Sequence, residues 1–183
     1  MSVLLTGCNK IKVTEQVTET VTLYPMAYDA SNYSYASISN ATNPVGKGSD
    51  NTTYATINLK TGSSAETYVY FPFDTSDIPE NATITSVACK AKGYVSSTSS
   101  SYINTRQMQL FSGTTAKGSA ATLTTSATAQ TLTCGTWTRD ELQNCRIRMY
   151  AKRGTSNTST SRNMRFYGAE LTVTYTYERE VQI

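Results

Sequence analysis

Arg165-Phe166-Tyr167-Gly168-Ala169-Glu170-Leu171-Thr172-Val173-Thr174-Tyr175-Thr176-Tyr177 decides the fold. Ala169, Leu171, Val173 and Tyr175 fall on one parity and Glu170, Thr172 and Thr174 on the other, the alternation of a strand with one buried face. Working back along the chain, Cys145, Ile147, Met149 and Ala151 alternate with Arg146, Arg148 and Lys152. Further back, Val87, Cys89 and Ala91 alternate with Lys90 and Lys92. Repeated short strands of this kind, in a chain with 53 serines and threonines, predict an all-β antiparallel sandwich.

The composition bounds the rest. A chain of 183 residues, 38% hydrophobic and 10% aromatic, holds enough apolar side chains for one core. A net charge of +3 is too mild to predict nucleic-acid binding. No apolar run approaches the roughly 20 residues of a membrane span, so a soluble chain is expected. Leu5-Thr6-Gly7-Cys8 has the look of a lipidation box, but only Met1 to Leu5 precede it and none is charged, so a secretory leader is not expected. Cys8, Cys89, Cys134 and Cys145 lack CxxC spacing, and with no histidine a zinc site would need all four or help from carboxylates. Cys89 and Cys145 are in phase with core positions; a Cys134–Cys145 bridge stays open beside the reduced, cytosolic reading.

Residues 11–23 carry Ile11, Val13, Val17, Val21 and Leu23 on one parity, interrupted by Glu15 and Glu19. This predicts an extended N-terminal arm over 1–20, pairing with a neighbour or an edge, ahead of a β-sandwich over 21–183. Residues 24–48, with Pro25 and Pro44, read as loops around one or two short strands. Ala55, Ile57 and Leu59, then Val69, Phe71 and Phe73 across a turn at 61–64, read as a hairpin. Pro72 puts the second of these strands at an edge or ends it. Strands are expected at 83–95, 103–111, 128–134, 145–151 and 165–177, with a mobile polar loop at 154–161. Thr138 and Glu141 form a capping box, and Trp137 with Leu142 the matching hydrophobic staple, which predicts one short helical turn and makes the only tryptophan a core clamp.

Val69-Tyr70-Phe71-Pro72-Phe73-Asp74-Thr75-Ser76-Asp77-Ile78-Pro79, running into Ala82-Thr83-Ile84-Thr85-Ser86-Val87, resembles a jelly-roll signature of the disaggregatase-related, carbohydrate-binding-module-like (DNRLRE) family. Gly168 to Tyr175 resembles that family's closing strand. Tyr54 to Leu59, Trp137-Thr138-Arg139-Asp140-Glu141-Leu142 and Arg146 to Ala151 look like domains of structural proteins from phages that infect Gram-positive bacteria. The resemblance implies a jelly-roll-type sandwich in a virion structural protein, such as a capsid decoration, head fibre or tail component. It also implies assembly in the host cytoplasm and other virion proteins as partners.

Without histidine, Ser/His/Asp and Cys/His nucleophilic arrangements are excluded. Paired carboxylates for glycoside hydrolysis remain formally open, but the 13 acids fall mostly in turns, the arm and the C-terminal tail. No enzyme, catalytic residue or cofactor is therefore expected. No metal is expected either; Asp29, Asp50 and Asp74 would have to converge to hold calcium. Asp74 and Asp77 are explained as acceptors for the amides of their own turn.

Three surface readings follow. The arm residues Ile11, Val13, Val17 and Val21 would be buried by exchange in a homo-oligomer, to which a trimer is suited. Tyr28, Tyr33, Tyr35, Tyr68 and Tyr70 are candidates for stacking on a host glycan, against the plain reading that tyrosine is a good strand residue. Arg146, Arg148 and Lys152 share an outward parity, with Arg153, Arg162 and Arg165 nearby. They form a candidate contact face for an acidic shell surface, teichoic acid or DNA, or a solvated ladder neutralised by Glu170 or Glu178.

Overall fold

Alternation becomes architecture wherever the apolar parity finds a second sheet to cover it. The computed structural model describes residues 12–32 and 37–183. The strands are β1 (Lys12–Leu23), β2 (Ala30–Ser31), β3 (Ile38–Ser39), β4 (Ala55–Asn58), β5 (Glu66–Pro72), β6 (Thr83–Val95), β7 (Ile103–Ser112), β8 (Thr115–Thr122), β9 (Ala129–Leu132), β10 (Cys145–Arg153) and β11 (Asn163–Gln182). One helical turn, α1 (Arg139–Leu142), precedes β10. One sheet runs β3-β4-β11-β6-β9, with β1 also on β11; the other runs β2-β5-β10-β7-β8. From β4 onward the order β4-β11-β6-β9 over β5-β10-β7-β8 is that of an eight-stranded jelly roll.

The core is the set of inward parities. β10 buries Cys145, Ile147, Met149, Ala151 and Arg153; β11 buries Ala169, Leu171, Val173 and Tyr175. Phe71 of β5 meets Phe166 of β11 across the sandwich, ring centroids 4.6 Å apart. Register in β11 shifts between Phe166 and Gly168. Only glycine fits there, because a Cβ on Gly168 would lie 2.4 Å from the Lys47 carbonyl oxygen.

The capping box forms as the spacing predicts: Thr138 N–H donates to Glu141 Oε2 at 2.9 Å, and Glu141 N–H to Thr138 Oγ1 at 3.2 Å. Trp137 and Leu142 are both buried, and the indole N–H donates to the Cys134 carbonyl at 2.7 Å. Cys89, Cys134 and Cys145 are buried free thiols, so Cys134 and Cys145 do not pair. Burial pushes the Cys89 and Cys145 thiols well up. In a Cys8→Ser variant, no thiol should therefore react with Ellman's reagent until denaturant unfolds the chain; reaction in buffer would contradict this packing.

Two expectations are corrected. The segments around Ile57 and Phe71 are not a hairpin: β4 pairs with β3 and β11, β5 with β2 and β10, and the turn between them crosses from one sheet to the other. Alternation dictates the buried face and leaves the hydrogen-bonded neighbour open, so both connections fit the same pattern. The boundary expected after residue 20 falls inside a continuous β1, which pairs with β11 of the same chain from Lys12↔Gln182 to Leu23↔Leu171. Val21 packs on the core, Leu23 is buried, and the Thr20 and Thr174 hydroxyls meet at 2.9 Å, so the segment is extended but belongs to the sheet. The 154–161 loop is met from β10 by Arg153, 1% exposed, which donates to Thr160 O at 3.0 Å and Asn157 O at 2.8 Å. Pro72 ends β5, one of the two outcomes its missing N–H allowed.

Candidate ligand-binding face

The outward parity of β10 is Arg146, Arg148, Tyr150 and Lys152. Register sets Arg146 between Pro72 and Phe111, Arg148 between Tyr70 and Gln109, Tyr150 between Tyr68 and Gln107, and Lys152 between Glu66 and Thr105. Two sets of residues that the sequence kept apart, the tyrosines of β5 and the cations of β10, thus share the outer face of three adjacent strands.

Their contacts change what each offers. Tyr70 is only 7% exposed, with the Arg146 guanidinium 4.1 Å from its ring centroid and Tyr68 and Phe111 edge-on at 5.5 and 5.4 Å. Its ring has no free face for a sugar, so Tyr70 is withdrawn as a stacking residue. Tyr28 is withdrawn too: it packs on the core, edge-on to Phe71 at 6.1 Å. Tyr33, Tyr35 and Ile11 lie outside the described residues. Tyr68 remains half-buried on the face, joined by Tyr150, which sequence reasoning missed although its parity with Arg148 was legible.

The ladder is neutralised at its ends, by residues other than those expected. Arg146 Nη1 lies 3.2 Å from Asp29 Oδ1, and its Nε donates to Gly113 O at 2.8 Å. Lys152 Nζ lies 3.4 Å from Glu66 Oε1. Glu170 and Glu178 belong to β11 in the opposite sheet; Glu170 accepts from Ser49 Oγ at 2.8 Å. Arg148, in the middle, stacks over Phe111 at 4.3 Å and Tyr150 at 4.8 Å, and its Nε is buried with no hydrogen-bond partner. Burial, then the Glu66 charge and a hydrogen bond to Glu66, raises the Tyr150 phenol above its ordinary value, so it stays protonated with its O–H directed to Glu66. Beside Arg146 opens a cleft of about 210 Å³ lined by Asp29, Pro72, Gly113, Asn144 and Cys145.

Asp29, Asp50 and Asp74 hold nothing in common: Asp29 serves Arg146, and Asp74 accepts from the Ser76 amide at 3.0 Å. Among the described residues no group of three His, Cys, Asp or Glu side chains is placed to hold a metal ion. No helix of the described residues is long and apolar enough to cross a membrane.

A second feature is the far end of β1 and β11. β6 stops pairing at Thr83↔Thr176, and beyond it β1 and β11 continue as a two-stranded ribbon from Val17↔Tyr177 to Lys12↔Gln182. Val13, Val17, Tyr177 and Val181 share one face of the ribbon with the ion pair of Glu15 and Arg179, 2.6 Å to Nε. Glu19 bridges the ribbon to the body, accepting from Tyr175 at 2.9 Å and Tyr177 at 3.1 Å. Burial first, then Glu19, pushes Tyr175 up to about 12. A raised phenol pKa means that the unfolded chain ionises first, so stability held below pH about 10 is lost as pH rises toward 12. Urea midpoints at pH 9 and 11 should fall less in Tyr175→Phe than in the wild type; equal falls would contradict the assignment.

Comparison of the chain with known protein families, curated proteins and solved structures returns no match.

Proposed function

We propose that this chain is a non-enzymatic virion structural protein of a bacteriophage, a capsid decoration, head fibre or tail-associated component that presents a jelly-roll body and assembles through the β1/β11 ribbon. The observation that carries the reading is the ribbon itself. A two-stranded ribbon is marginal in water when nothing covers it, and an unpaired edge strand invites another chain. Among the described residues no strand pairs with the outer edge of β1 or with the Tyr177–Gln182 edge of β11, where only the Asn81 amide donates to Glu178 O at 3.1 Å, and both edges lie beside an apolar row of Val13, Val17 and Val181. A neighbouring copy of the chain is the occupant that symmetric assembly supplies. The resemblance of the Trp137–Leu142 and Arg146–Ala151 segments to phage structural domains supports the virion setting. Immunogold labelling of the particles whose genome encodes this chain tests it: regular decoration is expected, and unlabelled particles would overturn the virion role.

The shared Tyr68, Arg148 and Tyr150 face favours a second reading, recognition of host cell-surface glycans, which is compatible with a place on the virion surface. Binding on a glycan array that a Tyr68→Ala/Tyr150→Ala chain loses while keeping its melting temperature supports this; an array blank for the wild-type chain removes it.

A further inference from the structure

We propose that Arg148 reads a negative charge on the ligand, so that the β5-β10-β7 face selects glycans carrying a carboxylate or phosphodiester over neutral ones; this rests on the recognition reading above. A guanidinium presents five N–H donors and normally finds acceptors for them when half-buried. Three other arginines do so in the protein: Arg146 on Asp29 and Gly113 O, Arg139 on the carbonyls of Thr75, Ile78 and Pro79, Arg153 on those of Asn157 and Thr160, whereas Arg162 and Arg165 each leave a buried Nε without a partner as Arg148 does. Arg148 has ring contacts and no protein acceptor among the described residues.

Position adds to this. With Arg146 matched by Asp29 at one end of β10 and Lys152 by Glu66 at the other, the unmatched positive charge of the strand is centred on Arg148. Stacking on Phe111 and Tyr150 holds the guanidinium plane in place before any ligand arrives, the preorganisation that makes a planar fork effective on carboxylate and phosphate. The neighbours suit a polyhydroxylated ligand. Gln109 spends its amide N–H on Gly118 O at 2.9 Å, leaving its carbonyl to accept a hydroxyl, and Gln107 and Tyr68 flank the Tyr150 row.

Arg165 is the internal control. It stacks between Tyr54 at 4.5 Å and Tyr94 at 4.7 Å on the opposite sheet, also with an unpartnered Nε, but close to the 43–54 segment that crosses that face through Asn51 to Tyr167 O and Ser49 to Glu170.

The test is calorimetric titration of the full chain at physiological salt with a panel of hexuronate oligosaccharides, their carboxyl-reduced counterparts and glycerol-phosphate polymers. The expected result is binding of an acidic member at least tenfold tighter than its neutral counterpart. Arg148→Gln should lose that margin, Arg148→Lys recover part of it, and Arg165→Gln leave it unchanged, with melting temperatures showing that each variant folds. Uronate against phosphate arms identify the source of the charge. Equal binding of acidic and neutral members, unmoved by Arg148→Gln, overturns the inference and leaves glycan recognition standing. Equal losses in Arg148→Gln and Arg165→Gln reduce it to net charge and overturn it. No binding to any member overturns both.

Discussion

Phe71→Ala is expected to destabilise the sandwich by about 3–5 kcal/mol, read as a lower urea midpoint at unchanged slope. Phe71 is fully buried on β5, packed at a 38° tilt against Phe166 of β11 and in T-shaped contact with Tyr28. It therefore joins the two sheets where neither backbone touches the other. Removing the ring leaves a void that two hydrogen-bonded sheets cannot close without bending, which is why the cost exceeds simple transfer of the ring from water. In a double-mutant cycle with Phe166→Ala the coupling should reach about 0.5–1.5 kcal/mol, the range for paired rings. A loss below about 1 kcal/mol for Phe71→Ala would mean that the site collapses freely and that this pair does not clamp the sandwich.

Arg139→Ala should cost about 2–3 kcal/mol, because several charge-assisted hydrogen bonds converge on one guanidinium. Arg139 opens α1, and its Nε and Nη2 donate to the carbonyls of Ile78 (2.8 Å to Nη2), Pro79 (3.1 Å) and Thr75 (3.3 Å). These are the carbonyls of the Asp74–Pro79 turn, whose own closure is Ile78 N–H to Thr75 O at 3.1 Å. Two stretches 60 and more residues apart, the Asp-Thr-Ser-Asp-Ile-Pro turn and the Trp-Thr-Arg-Asp-Glu-Leu helix start, thus dock through one side chain. Arg139→Lys should recover less than half, since a single ammonium cannot span three acceptors. Full recovery by lysine would show that charge rather than the fork does the holding.

The strand faces were legible because burial of one parity leaves its mark on every second residue, as in β10 and β11. The capping box was legible for a similar reason, being a purely local exchange of hydrogen bonds. β8 left no such mark: Thr115–Thr122 pairs with β7 at the edge of its sheet and buries too little to force alternation. Sheet membership of β4 and β5 was illegible since it depends on partners far away in sequence. The candidate face was half legible. Parity placed Arg146, Arg148 and Tyr68 outward, but that Arg146 would cover Tyr70, and that Asp29 and Glu66 would quench the two ends of the ladder, depends on register between strands. The ribbon was legible as an apolar row broken by Glu15 and Glu19; its partner, β11 of the same chain, was not.

The most direct test of assembly through that ribbon is the mass in solution, by light scattering, of the full chain and of a Val13→Asp/Val17→Asp chain. The account predicts an oligomer that falls to monomer in the double variant while the melting temperature of the sandwich holds. A full-length chain that stays monomeric across the concentration range, or an oligomer indifferent to both substitutions, would contradict it.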